Sequence, residues 1–168
     1  MRKMLSGITT WEEAWMAIQK GMDALGFVLE PKSRRYVNPE RAREIIFRLP
    51  PFISTVGVFQ NTPRYVIQEL VTFCRLDRLL FLGQESPKEC KDYFQPVIKY
   101  LPSLDDYKDY EGINNFLIDV KGKTKLTIPE NSSLYLIVPG TSSTLKVSDV
   151  YGLYYLLNPD GTISESPL

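Results

Sequence analysis

Five basic side chains crowd one stretch, KSRRYVNPERAR: Lys32, Arg34, Arg35, Arg41 and Arg43. An arginine fork suits this place if it holds a carboxylate or phosphate, because its planar donors bond two oxygens at once. The plain alternative is a solvated basic loop that pairs with nearby acids. The remaining chemistry is narrow. The chain has no histidine, so a Ser-His-Asp or Cys-His nucleophile and a His-ligated metal are both excluded. Cys74 and Cys90 stand too far apart for a CxxC site, and Cys74 falls in a helical pattern as a small core residue. Acid and base work would fall to carboxylates, Lys, Tyr or thiol. Asp105, Asp106, Asp109 and Glu111 lack the alternating spacing of a calcium loop and read as a solvated helix face. No metal and no cofactor are expected.

These residues belong to a chain of 168, enough for one domain with a real core. Twenty basic residues balance twenty acidic ones, so nothing draws the chain generally to nucleic acid or an anionic membrane. No apolar run approaches a membrane span, and the opening MRKMLSGITT lacks the apolar core of a signal peptide. The cytoplasm is the expected location.

Helix and strand signals alternate. Thr10-Trp11-Glu12-Glu13 is a capping box, and Trp11, Ala14, Trp15, Ile18 and Met22 follow at helical spacing. LGFVL is a short strand. Asn38-Pro39 opens a second helix that runs to Pro50-Pro51. FISTVGVFQ is a strand, Thr62-Pro63 starts a third helix, and RLLFLG is another strand. Ser86-Pro87-Lys88-Glu89 is a second capping box. PVIKYL, NNFLIDV, SLYLIVPG and YGLYYLL supply further strands, with a short acidic helix between the first two. Alternating β and α units with continuous apolar strands predict a parallel sheet covered by helices. Eight strand signals favour a TIM-type (β/α)8 barrel over residues 1–168. The strands crowd closer together in the second half. A parallel crossover needs about a dozen residues or more, so helices there are expected to be shortened or missing.

The stretch SGITTWEEAWMAIQKGMDALGFVLEPKSRRYVNPERAREI, with PPFISTVGVFQNTP, LGQESPKEC and FLIDVKG, resembles phosphoribosylanthranilate isomerase, a (β/α)8 enzyme of tryptophan biosynthesis. The resemblance implies an Amadori rearrangement of an aminoaldose, carrying anthranilate and a 5-phosphate, to the aminoketose. It places a general acid at Asp119, a general base at Ser6, and Arg35 on the anthranilate carboxylate. Gly140, Thr141 and Ser142 fall in the phosphate loop after strand seven. The expected partner is therefore a phosphorylated or carboxylate small molecule.

The pattern also breaks. The family reads Lys-Ile-Cys-Gly-Ile-Thr where this chain has Met4-Leu5-Ser6-Gly7-Ile8-Thr9, and a hydroxyl is a far poorer base than a thiolate. Leu80 and Leu82 stand where the family presents Gln and His. Thr141 replaces a phosphate-loop glycine, and Leu156-Leu157-Asn158 replaces Ser-Ser-Gly after strand eight. The expectation is an isomerase-like protein with little or no activity, acting in binding or interaction; the alternative is a working isomerase with a substitute base. The aromatic end, with Tyr151, Tyr154, Tyr155, Leu156 and Leu157, predicts self-association as a homo-oligomer.

Overall fold

The computed structural model describes residues 2–119, 127, 133–137 and 152–156. Eight strands follow one another around a closed ring in chain order. They are β1 Lys3–Ser6, β2 Ala24–Val28, β3 Ser54–Phe59, β4 Arg78–Phe81, β5 Val97–Leu101, β6 Asn115–Asp119, β7 Ser133–Ile137 and β8 Gly152–Leu156. β1 to β7 are parallel throughout. β8 runs antiparallel to both of its neighbours, β1 and β7. The all-parallel expectation therefore fails at the last strand. A five-residue apolar strand pairs in either direction, since both ladders satisfy its backbone.

Three α-helices lie outside the ring: α1 Trp11–Gln19, α2 Pro39–Phe47 and α3 Arg64–Cys74. Their starts are written locally. The Thr10 hydroxyl accepts from the Glu13 N–H at 3.2 Å, and the Asn38 side chain accepts from the Arg41 N–H at 2.9 Å with Pro39 at the first helical position. α3 begins after Pro63 without a side-chain cap, so the expected Thr62 start lies slightly early. The second capping box closes as expected, with Ser86 N–H on Glu89 at 2.6 Å and Glu89 N–H on Ser86 at 3.2 Å. Yet it initiates only a turn. Asp92 adopts φ 65°, a left-handed conformation that ends helical winding, and Pro96 follows. Among the described residues no α-helix follows β4; Leu104–Asp109 forms a 3₁₀ helix, with its acidic side chains exposed.

Alternation along the strands builds two apolar layers. Met4, Val28, Val56, Val58, Leu80, Leu82, Ile98, Leu117 and Tyr154 fill the ring from inside. Leu25, Phe27, Phe59, Leu79, Phe81 and Val97 face outward and pack with the helices. Where helices are missing, the 3₁₀ segment covers Leu101, Phe116 and Ile118 with Leu104 and Tyr107. Carboxylates set the strand starts: Asp23 accepts from the Lys3 N–H at 2.9 Å, and Asp77 from the Thr55 N–H at 2.8 Å.

Candidate functional site

The carboxyl ends of β1 to β7 form one rim of the ring, the mouth. Ser6 closes β1 there, beside Gly26 of β2 and Gly152 of β8. It is fully buried. A Cβ at Gly26 would lie 2.8 Å from the Ser6 Oγ, so the second strand leaves no room beside it. On the other side stands the Tyr154 hydroxyl. Burial pushes the Tyr154 phenol far above its ordinary range, and the Ser6 hydroxyl is the one group that opposes this. Neither hydroxyl completes a hydrogen bond of proper geometry. The phenol therefore stays protonated and offers Ser6 no proton acceptor.

Arg35 reaches the same rim. Its Nε and Nη2 donate to the Gly7 carbonyl at 3.0 and 2.8 Å, and Nη2 meets a Glu13 carboxylate oxygen at 2.6 Å. Gly7 takes φ 92°, a left-handed turn that glycine adopts without cost and that presents its carbonyl to the guanidinium. Glu13 is tied down in turn by the Thr9 hydroxyl at 3.0 Å. The basic turn is thus built, in the first instance, to lock the loop after β1. A ligand carboxylate would share the Arg35 fork with these internal acceptors. Arg43, the last of the five basic residues, donates to the Phe73 carbonyl at 2.6 Å and stacks on Phe47 and Phe73, joining α2 to α3.

Asp119 ends β6 at the mouth, in register with Ile137; its side chain, and all of Gly140, Thr141 and Ser142, lie outside the described residues. Met4, Leu80 and Leu82 are buried in the inner apolar layer, as their residue types suggest. The reversal of β8 changes the rest of the mouth. Gly152 is its mouth end, whereas Leu156 sits at the opposite rim, where its N–H donates to the Arg2 carbonyl at 3.0 Å. The chain therefore leaves β8 on the far side of the ring from Ser6 and Asp119. Tyr154, expected at a contact between chains, is 1% exposed inside the ring. Tyr151, Leu157 and the Tyr155 side chain lie outside the described residues.

One charged pair escaped the reading of the sequence. Lys99 points outward from β5 and is buried; its ammonium donates to the Glu85 carboxylate at 2.8 Å and the Gly83 carbonyl at 2.7 Å. The second Glu85 oxygen accepts from the Asn61 N–H at 2.7 Å, and Tyr110 donates to the Glu85 carbonyl at 2.8 Å. The network ties the loops after β3 and β4 to the 3₁₀ segment. A lone lysine inside the apolar run VIKYL was its only local signal. Beside it lies a cavity of about 350 Å³ lined by Asn61, Arg64, Glu85, Glu89 and Tyr93, among others.

Residues 4–126 match the family model for N-(5'-phosphoribosyl)anthranilate (PRA) isomerase. The isomerase of Moorella thermoacetica is 45% identical over 130 residues, 73% of this chain and 58% of the relative. That of Nitrosomonas eutropha is 38% identical over 131 residues, 74% of this chain and 63% of the relative. The crystal structure of the Thermus thermophilus isomerase matches with a TM-score of 0.67 at 38% identity, covering 71% of this chain and 62% of that one. The chain thus spans about three fifths of the length of these relatives.

Proposed function

The chain belongs to the N-(5'-phosphoribosyl)anthranilate isomerase family, and from that premise we propose an isomerase-like barrel with little or no turnover, kept as a binding or interaction protein. The observation that carries this reading is the direction of β8. A phosphate cradle made by the loops after strands seven and eight needs both at one rim, and here β8 ends at the other. Remote binding energy from a phosphate normally supports the chemical step, so its loss would weaken catalysis at a distance. The base position adds to this. Removing the C2′ proton of the aminoaldose requires an accessible acceptor, whereas Ser6 is buried against a protonated phenol. Asp119 in this reading keeps the place of the acid that opens the ribose ring, and Arg35 that of the anthranilate clamp. Gly140, Thr141 and Ser142 would offer at most half a cradle.

The alternative is a working isomerase of tryptophan biosynthesis. It is favoured by Arg35, which reaches the rim beside Ser6. One experiment separates the two. The purified chain is given phosphoribosylanthranilate and its fluorescence decay is followed, in parallel with rescue of a tryptophan auxotroph. We expect a decay no faster than the spontaneous rate and no rescue; clear turnover establishes the alternative. The Thermotoga maritima isomerase, 31% identical, has been solved as monomers generated from a dimeric enzyme. Self-association of this chain in the cytoplasm is proposed on that analogy, through residues other than Tyr154. Light scattering at micromolar concentration tests it, and a strict monomer refutes it.

A further inference from the structure

We propose that the ring holds an internal binding site for a phenol-sized aromatic, and that the chain fills this site itself with Tyr154. The walls and the filler come from different parts of the sequence. Met4, Val28, Val56, Val58, Leu80 and Leu117 share one buried apolar cluster with Tyr154, and all lie within residues 4–126, the part that matches the family model. Tyr154 lies beyond that part, on β8, which among the described strands alone runs antiparallel to its neighbours.

The fit has the marks of a ligand in a pocket. Tyr154 is 1% exposed within the inner apolar layer, and among the described residues the Ser6 hydroxyl is the side-chain group set against its phenol. Small-molecule sites are built this way, largely apolar with few polar groups. The hydroxyl pair adds little to holding the strand in place, since neither oxygen completes a hydrogen bond. Shape and apolar contact hold Tyr154, so a free phenol offers the same surface. The occupied site also shields Ser6, which is 0% exposed in a ring whose other wall is Gly26. This inference concerns occupancy alone and stands whether or not the protein is an isomerase.

The test places a reporter under the tyrosine. Ser6→Cys in the otherwise natural chain is exposed to a water-soluble aromatic disulfide at pH 8, with absorbance following thiol release. Cys74 and Cys90 are buried and contribute little background. The introduced thiol should react about a hundredfold more slowly than in the denatured chain, because it is reached only through opening of the structure. Tyr154→Phe keeps the ring and should leave that rate unchanged. Tyr154→Gly in the same background should speed labelling, and added phenol should slow it again while raising the melting temperature, as dry engineered cavities take up small aromatics. Free access to the introduced thiol under an intact Tyr154 overturns the proposal, whatever becomes of the glycine variant. So does a folded Tyr154→Gly protein that phenol neither protects nor stabilises.

Discussion

Replacing Lys99 with methionine isolates what the buried ion pair contributes. Methionine matches the length and apolar stem of lysine, so the packing change is small. The charge change is not. The ammonium is lost from the Gly83 carbonyl and from Glu85, whose side chain is only 6% exposed. Glu85 keeps the Asn61 N–H alone on its other oxygen. Breaking a buried pair by removing one partner costs about 3–5 kcal/mol, because the remaining charge stays desolvated without compensation. That is a large share of a total stability of about 5–15 kcal/mol. For a domain of this size it corresponds to a fall in melting temperature of about 10 °C. Urea titration followed by circular dichroism measures it. Adding Glu85→Gln to the variant removes the stranded charge while keeping an oxygen for Asn61, so the double variant should recover part of the loss. A Lys99→Met loss under about 1 kcal/mol, the size of an exposed pair, refutes the reasoning. So does a double variant whose loss is the sum of the two single losses.

Three further outcomes follow from the packing. Gly26→Ala should cost about 1–3 kcal/mol in urea titration, since its Cβ would stand 2.8 Å from the Ser6 Oγ and 3.1 Å from the Ser6 Cα; an unchanged midpoint would show that β1 moves aside freely. On the reading proposed above, Ser6→Cys alone yields no isomerase turnover, because the thiol would take the buried place of Ser6; activity gained in the fluorescence assay would refute that reading. Burial pushes the Cys74 and Cys90 thiols up from 9.0 to about 11. The folded state thus retains protons that the unfolded chain releases, so this contribution is intact below about pH 9 and is lost as pH rises toward about 11. Replacing both cysteines with alanine should flatten the fall in stability over that window, and a fall of the same slope would assign it to other groups.

Local signals in the chain determined much of the frame. Thr10 and Asn38 start helices because their side chains satisfy N–H groups a few residues on, and that chemistry needs no distant partner. Ala24–Val28, Ser54–Phe59 and Arg78–Phe81 are strands by apolar and β-branched content, and the early motifs were enough to indicate the isomerase family. Tertiary structure decided what those signals leave degenerate. The apolar run Gly152–Leu156 carries no signal of strand direction, so only pairing with β1 and β7 made β8 antiparallel and carried Leu156 away from the mouth. The same tyrosine suits an interface or an interior, and only closure of the ring placed Tyr154 inside it. Ser86 and Glu89 formed their capping box, but Asp92 and Pro96 stopped a helix from growing out of it. Lys99 found its counter-charge fourteen residues back at Glu85, across a strand pairing that no periodicity encodes. Local hydrogen bonds are legible in sequence because their partners are near in the chain; strand direction, burial and ion pairing are set by the sum of distant contacts.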